Sequence, residues 1–246
     1  MMIRVVVPTL NELTCLGPCL EAIVAGRPDE VVVVDGGSTD GTDTVARRYR
    51  VVARKRYVNL EVLDAPRGRA SQMNAGARHR WSDGDAGDDV ILVFCHADTI
   101  LPEGWTEHVR AVMADPKTTV GAFEFRLPGA SPAYRLVELG VALRGRFLNG
   151  PYGDQALFCR KADFDVVGPF PEPPVLEDIG LVRALKSRGR CVIVDAPVLV
   201  NDRAWRENGV FRQTWRNWSR ALAEARRRPR TTSADTKAAD TALPDR

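Results

Sequence analysis

The stretch EVVVVDGGSTDGT, residues 30–42, decides how the chain folds. Successive strand residues point to opposite faces, so the unbroken valines at 31–34 make both faces apolar. Such a strand needs cover on both sides, as a parallel strand has between two layers of helix. The run ends in Asp35, and Gly36 and Gly37 let the chain turn sharply. Ser38, Thr39 and Asp40 then supply oxygens that can cap a following helix. The segment is not a dinucleotide fingerprint: the G-x-G-x-x-G spacing is missing, and the acid precedes the glycines. Asp35 has two readings. Either its carboxylate accepts a hydrogen bond from a base N–H, or it closes a structural turn while Asp40 caps the helix.

The same strand-then-helix pattern repeats outward from this unit. IRVVVPTL (3–10) reads as a strand closed by Pro8, followed by helical spacing at Leu13, Leu16, Leu20, Ile23 and Val24. VNLEVLDAP (58–66) is a third strand, followed by the helix RASQMNAGARHR (69–80). DDVILVFCHAD (88–98) is a fourth, before the helix of Trp105, Val109, Val112 and Met113, and TTVGAFEFRL (118–127) is a fifth. These units predict an α/β fold with a single, mostly parallel central sheet flanked by helices and a C-terminal helical segment. In such sheets ligands bind beyond the carboxyl ends of the strands. Pro8 to Glu12, Asp35 to Asp40 and His96 to Asp98 therefore share one rim. The later half is less regular. It reads as a helix over about 133–147, a loop NGPYGDQALFCRK (149–161) and a proline-rich loop GPFPEPP (168–174). A helix from about Glu177 and a final basic helix over about 209–227 follow. We expect one domain over 1–228 and a disordered polar tail over 229–246.

Composition narrows the function. With 246 residues, 44% of them hydrophobic, the chain can bury a substantial core. Acids and bases are interspersed and the net charge is only +3, so no nucleic-acid partner is expected. No apolar run approaches the roughly 18–20 residues of a membrane span. The first residues, MMIRVVVPTLNE, carry no secretory h-region with a cleavage site. The five cysteines (Cys15, Cys19, Cys95, Cys159 and Cys191) read as buried reduced thiols, and a cytoplasmic location is expected. On the last helix Trp215, Trp218 and Leu222 share one face, with Arg216, Arg220 and Arg226 to Arg228 nearby. That face either packs into the domain or makes a peripheral membrane contact. Oligomeric state is not legible.

Polar groups at a buried strand end are costly unless solvated, paired or coordinating, which draws attention to His96, Ala97 and Asp98. A hard cation bridging two phosphates takes oxygen ligands, and Asp98 supplies one; its plainer role is to cap a turn. Arg67 and Arg69 flank Gly68 just before a helix, where fork-like donors and a helix N-terminus suit phosphate, or else form a solvated basic loop. Asn74, Ala75 and Gly76 imply close packing of that helix against a ligand or a strand. Glu177 and Asp178 open a helix, where acids complement its dipole or do chemistry.

In order along the chain, VPTLNE (7–12), VVVVDGGSTDGT (31–42), RGRASQMNAGA (67–77), FCHADTILP (94–102), GPYGDQALFCRK (150–161) and LEDIGLVRALKSRG (176–189) resemble the family 2 glycosyltransferases, which have the GT-A fold. The resemblance covers about residues 2–200, and its wording is closest to a small subgroup linked to arsenosugar biosynthesis. It implies inverting transfer of a sugar from a nucleoside diphosphate sugar, UDP first, to an acceptor hydroxyl. It also implies Mn2+ or Mg2+ on the diphosphate. Carried over by position, Pro8, Thr9 and Glu12 match the first nucleotide loop, Asp35 the base-recognising acid and Arg69 a place near the diphosphate. Asp98 matches the last acid of the metal-binding D-x-D motif, and Asp178, with Glu177 beside it, the catalytic base of the ED motif. Asn74, His96 and Ala97 complete the expected nucleotide-sugar site.

Two departures matter. His96 stands where D-x-D has its first acid, which bears on metal affinity and choice. QTWRNW (213–218) only loosely resembles the Q-x-x-R-W signature of processive synthases, so a single transfer is expected. Two rivals are weighed against this reading. A sugar nucleotidyltransferase would want a Gly-rich basic loop where the chain has VPTLNE. A non-catalytic nucleotide- or glycan-binding module on the same fold would have no need of both Asp98 and Asp178.

Overall fold

A computed structural model describes residues 1–80, 89–147, 150–171 and 177–225. The repeated pattern becomes β1 (Met2–Thr9), α1 (Leu13–Ala25), β2 (Glu30–Asp35), α2 (Thr42–Lys55), β3 (Asn59–Asp64), α3 (Arg69–Arg78) and β4 (Val90–Phe94). Then come β5 (Thr99–Ile100), α4 (Trp105–Met113), β6 (Thr118–Arg126) and α5 (Pro132–Phe147). The rest is β7 (Leu157–Arg160), α6 (Lys161–Val167), α7 (Glu177–Lys186), β8 (Arg190–Val200), α8 (Arg203–Asn208) and α9 (Val210–Ala225). The strands form one sheet in the order β3-β2-β1-β4-β7-β6-β8-β5.

The valine run explains the layering. Val31 and Val33 pack into one core with α1, α2 and α4, while Val32 and Val34 pack into a second core with α3, α6 and α7. β1 divides its side chains the same way, with Ile3, Val5 and Val7 on one face and Val6 on the other. Burying each such side chain contributes roughly 1.5–3 kcal/mol, an upper estimate against an extended chain. β3, β2, β1 and β4 are parallel, so their carboxyl ends make the expected rim.

Besides the short helices α6 and α8, which were not foreseen, the second half departs from the sequence reading at two strands. The expected loop over 149–161 contains β7, which runs antiparallel to β4 and β6 in the middle of the sheet. Four residues, LFCR, are too short to show a period, although three of them are buried. β8 went unread because Asp195 and Pro197 interrupt it. Its inward residues nonetheless alternate, with Val194, Ala196, Val198 and Val200 buried. A register shift against β6 between Phe123 and Glu124 accommodates the proline.

On α9, Trp215 is 77% exposed and Trp218 half-buried, so packing into the domain does not account for Trp215. The Leu222 and Arg220 side chains, Arg226 to Arg228 and the expected tail over 229–246 lie outside the described residues. Among the described residues no helix is long and apolar enough to cross a membrane. Cys19, Cys95 and Cys159 are buried, Cys15 and Cys191 half-buried, and all five are free thiols.

Candidate active site

Beyond β1 and β2, two loops are stitched to each other. Asn11 takes the left-handed conformation (φ 54°) that asparagine tolerates. Its N–H donates to Ser38 Oγ, and its Oδ1 accepts the Thr39 N–H, both at 2.9 Å. Asp40 accepts the N–H groups of Leu13 and Thr42, so one carboxylate serves the first residues of both α1 and α2. Asp35 is buried and accepts from the N–H groups of Gly37 and Ser38 and from the hydroxyls of Ser38 and Thr9. A carboxylate has about four lone-pair sites, so the turn occupies them. A base N–H that reaches Asp35 has to replace one of the hydroxyls. Pro8 and Thr9 are buried beside Val34 and Asp35 in register. Glu12 leans toward the C-terminal half, where Arg203 Nη2 donates to it at 3.3 Å. Burial raises its pKa, and Arg203 opposes that.

α3 lies across the ends of β1 and β2. Gln72 Nε2 donates to the carbonyls of Thr9 (2.7 Å) and Val34 (2.8 Å), fixing the helix against the rim. Gly76 lets it approach the sheet: a Cβ there would sit 2.4 Å from Val6 Cγ1. Asn74 is the correction in this segment. Its amide is clamped to the backbone of Phe170, donating to the carbonyl at 3.0 Å and accepting the N–H at 2.9 Å, so it braces a distant loop instead of facing a ligand. Arg69, the first residue of α3, remains half-exposed and reaches Glu177 Oε1 at 3.3 Å.

β4 stops at Phe94, and the chain turns tightly with the Thr99 N–H donating to the His96 carbonyl. Antiparallel β7 places Leu157 opposite Phe94, so the turn that precedes β7 arrives at the same rim. There Gly153 fits between two functional side chains. Its N–H donates to Asp178 Oδ2 at 2.6 Å. A Cβ on it would lie 2.9 Å from His96 Nε2 and 3.3 Å from Asp178 Oδ2, so any larger residue would have to push one of these side chains aside. Gln155 holds this turn in place, accepting the Tyr152 N–H and donating to the Phe123 carbonyl.

Burial pushes the Asp178 pKa up to about 6; the Gly153 N–H lowers it, and Glu177 and Asp154 raise it. Glu177 turns away toward Arg69, as neighbouring residues on a helix must. Asp98 is half-buried. Burial raises its pKa as well, with Arg69 and Arg203 acting against the rise. Arg69, His96, Asp98, Asp154, Asp178 and Arg203 line one cavity of about 300 Å³, with Arg144, Tyr152, Trp205, Gln213 and Asn217 in its walls.

Four of the expected residues thus meet: Arg69, His96, Asp98 and Asp178. Ala97 is 3% exposed and packs into the core. Glu177 reaches the site through Arg69, while Pro8, Thr9 and Asp35 form the adjoining rim. The residues not foreseen are Gln72, Arg144, Tyr152, Asp154, Gln155, Arg203 and Gln213. The GDQ triplet at 153–155 carried the available signal, three polar or small residues beside a strand.

The pattern of glycosyl transferase family 2 matches residues 4–163. The chain belongs to that family. Glycosyltransferase AglE of Haloferax volcanii is 28% identical over 185 residues, covering 69% of this chain and 56% of the relative. A PGL/p-HBAD biosynthesis glycosyltransferase of Mycobacterium bovis is 27% identical over 180 residues, covering 69% and 63%. This family 2 chain therefore spans less than two thirds of these relatives' lengths. Among solved structures, a mannosyltransferase from Pyrobaculum calidifontis in complex with GDP-Man and Mn2+ superposes with a TM-score of 0.64 at 22% identity, over 90% of this chain and 64% of that one. Glucosyl-3-phosphoglycerate synthase of Mycobacterium tuberculosis, in complex with Mn2+, UDP and phosphoglyceric acid, gives 0.55 at 19% identity, over 93% and 80%. These neighbours share the GT-A fold.

Among the described residues no three His, Cys, Asp or Glu side chains converge as a metal site. Three carboxylates line the cavity, Asp98, Asp154 and Asp178, without converging on one point. That donor set does not suit a cation held by protein alone. It fits one that takes its other ligands from phosphate oxygens and water, as Mg2+ does.

Proposed function

We propose that this family 2 chain is a cytoplasmic enzyme transferring one sugar, with inversion, from a nucleoside diphosphate sugar, UDP first, to an acceptor hydroxyl. Within the family we assign it to the arsenosugar-linked subgroup, a reading supported by its motif wording alone. The observation that carries the reading is Asp178, a buried carboxylate with a pKa of about 6 facing the cavity that also holds Asp98. Neutral alcohols are poor nucleophiles, so attack on the anomeric carbon needs a positioned base. Asp178 is ionised at neutral pH and is a stronger base than an ordinary carboxylate. The Gly153 N–H fixes its orientation. Arg69, at the N-terminus of α3, is placed to meet charge gathering on the leaving diphosphate. Mn2+ or Mg2+, bound by Asp98 and the diphosphate, would neutralise more of that charge. Glu12 and Arg203 tie the nucleotide loop to α8, whose Arg203 lines the cavity.

A thermal-shift series with UDP, GDP, dTDP and CDP, each with and without Mn2+ or Mg2+, tests the reading. A ligand that binds only the native state raises the melting temperature. The expected result is the largest rise with UDP and a divalent cation. A chain indifferent to all four nucleotides would not be a transferase of this kind.

A further inference from the structure

Arg144 of α5 is 5% exposed, and its guanidinium lies 3.5 Å above the centre of the Tyr152 ring. Its Nε and Nη2 are buried without a hydrogen-bond partner among the described residues. Neither the other buried arginine among the described residues, Arg4, nor the half-buried Arg160 is left so. Arg4 pairs with Glu30 and the His79 carbonyl, and Arg160 donates to the carbonyls of Thr118, Met113 and Asp115. A desolvated cation with idle donors is expensive, and the cost is relieved when something else supplies the acceptors.

The idle atoms have a particular geometry. Nε and Nη2 form one edge of the guanidinium, the fork that meets two oxygens of a carboxylate or phosphate. Asp154 Oδ1 and His96 Nε2, in the same cavity, are likewise buried without partners among the described residues. Arg144 is the foremost charge acting on Asp154, whereas Asp98 feels Arg69 and Arg203. Arg69 acts on both carboxylates, but Asp98, the expected metal ligand, is served by Arg69 and Arg203, and the idle edge of Arg144 is left for another anion.

The geometry points to a seat on Arg144 for a carboxylate or phosphate group, carried by the acceptor or by the transferred sugar, with Asp154 accepting from a hydroxyl of the same ligand. This rests on the transfer reading above. It narrows the substrate class to an anionic acceptor, such as a hydroxy acid or phosphorylated alcohol, or to an acidic donor sugar.

Calorimetry on the full chain distinguishes these sources. With UDP and Mn2+ present, glycerate and 3-phosphoglycerate are titrated against glycerol; in a second arm, UDP-glucuronate is titrated against UDP-glucose. We expect the anionic probe to bind at least about tenfold more tightly in one arm. Arg144→Gln should weaken it by roughly tenfold to a hundredfold, down to the neutral probe. Arg144→Lys, which keeps the charge and loses the fork, should fall between. UDP affinity, measured in each variant, reports folding and the nucleotide site. Equal binding of anionic and neutral probes in both arms, or a preference that survives Arg144→Gln, overturns the seat. A chain that ignores UDP yet binds an anionic probe through Arg144 would refute the transfer reading and leave the seat standing.

Discussion

On the β1–β2 side of the rim, Asn11, Asp35, Asp40 and Thr42 are bonded to one another's loops or to helix ends. On the β4–β7 side, His96, Arg144 and Asp154 bury polar atoms that have no partner among the described residues. The contrast separates two jobs. The first side is a finished scaffold whose hydrogen bonds hold a shape. The second holds polar groups in an unfavourable state that a ligand can relieve. Substitutions on the first side should therefore disturb stability and nucleotide affinity together, and those on the second should separate stability from chemistry.

Asp178→Asn tests that separation most severely. It keeps the shape and removes the base, so turnover should fall at least about a hundredfold while UDP-sugar affinity stays nearly unchanged. Stability should move the other way. The folded-state pKa of about 6 lies above the ordinary 3.8, so ionised Asp178 costs the fold stability as pH rises through about 6. Removing the charge should add up to about 3 kcal/mol at pH 8 and almost nothing at pH 4. Urea unfolding at the two pH values measures this, and a destabilised variant at pH 8 would contradict it. The wild-type rate should correspondingly climb through about pH 6 to a plateau. A flat profile down to pH 4.5 would remove Asp178 as the base. Glu177→Gln, which breaks only the pair with Arg69, should affect the chemical step less.

Next in size, Asp98→Ala should erase the gain in UDP affinity that Mn2+ confers, about tenfold or more, without altering affinity in EDTA. Full transfer by EDTA-treated wild type would leave Asp98 without its proposed role. Asp35→Ala sharpens the other half of the comparison. Four donors lose their acceptor, so unfolding free energy should fall by about 1–3 kcal/mol and UDP affinity by roughly tenfold. A loss of affinity with stability intact would mean that Asp35 contacts the base directly. The smallest effect is expected at Trp215, whose exposed ring, with Phe211 beside it and Arg212 and Arg216 flanking, suits an anionic lipid surface. Trp215→Ala should weaken flotation with anionic liposomes and leave turnover on soluble substrates unchanged. Wild-type protein that stays at the bottom of the gradient would exclude the contact.

The first half was legible because burial on both faces writes itself as consecutive valines, and because acids and glycines mark strand ends. β7 was not, since a strand of four residues carries no period. Asn74 misled because its partner, Phe170, lies far along the chain, and a buried amide looks the same in sequence whether it serves a ligand or a loop. Arg144 was invisible for a related reason. Between Leu143 and Gly145 it reads as the solvated cation of an amphipathic helix, and only the packing of α5 over Tyr152 turns it inward.

The late arrival of β7 also bears on how the chain is made. β4 is complete at Phe94, but its free edge waits about 60 residues for Leu157. At a synthesis rate of about 5–20 residues per second, an apolar five-residue edge stays open for roughly 3–12 s. Unpaired edges of this sort are where nascent chains aggregate. The strand that covers the edge also brings Gly153 beside His96, so a ribosome-bound chain can neither cover this edge nor begin to assemble the site before the same short segment emerges.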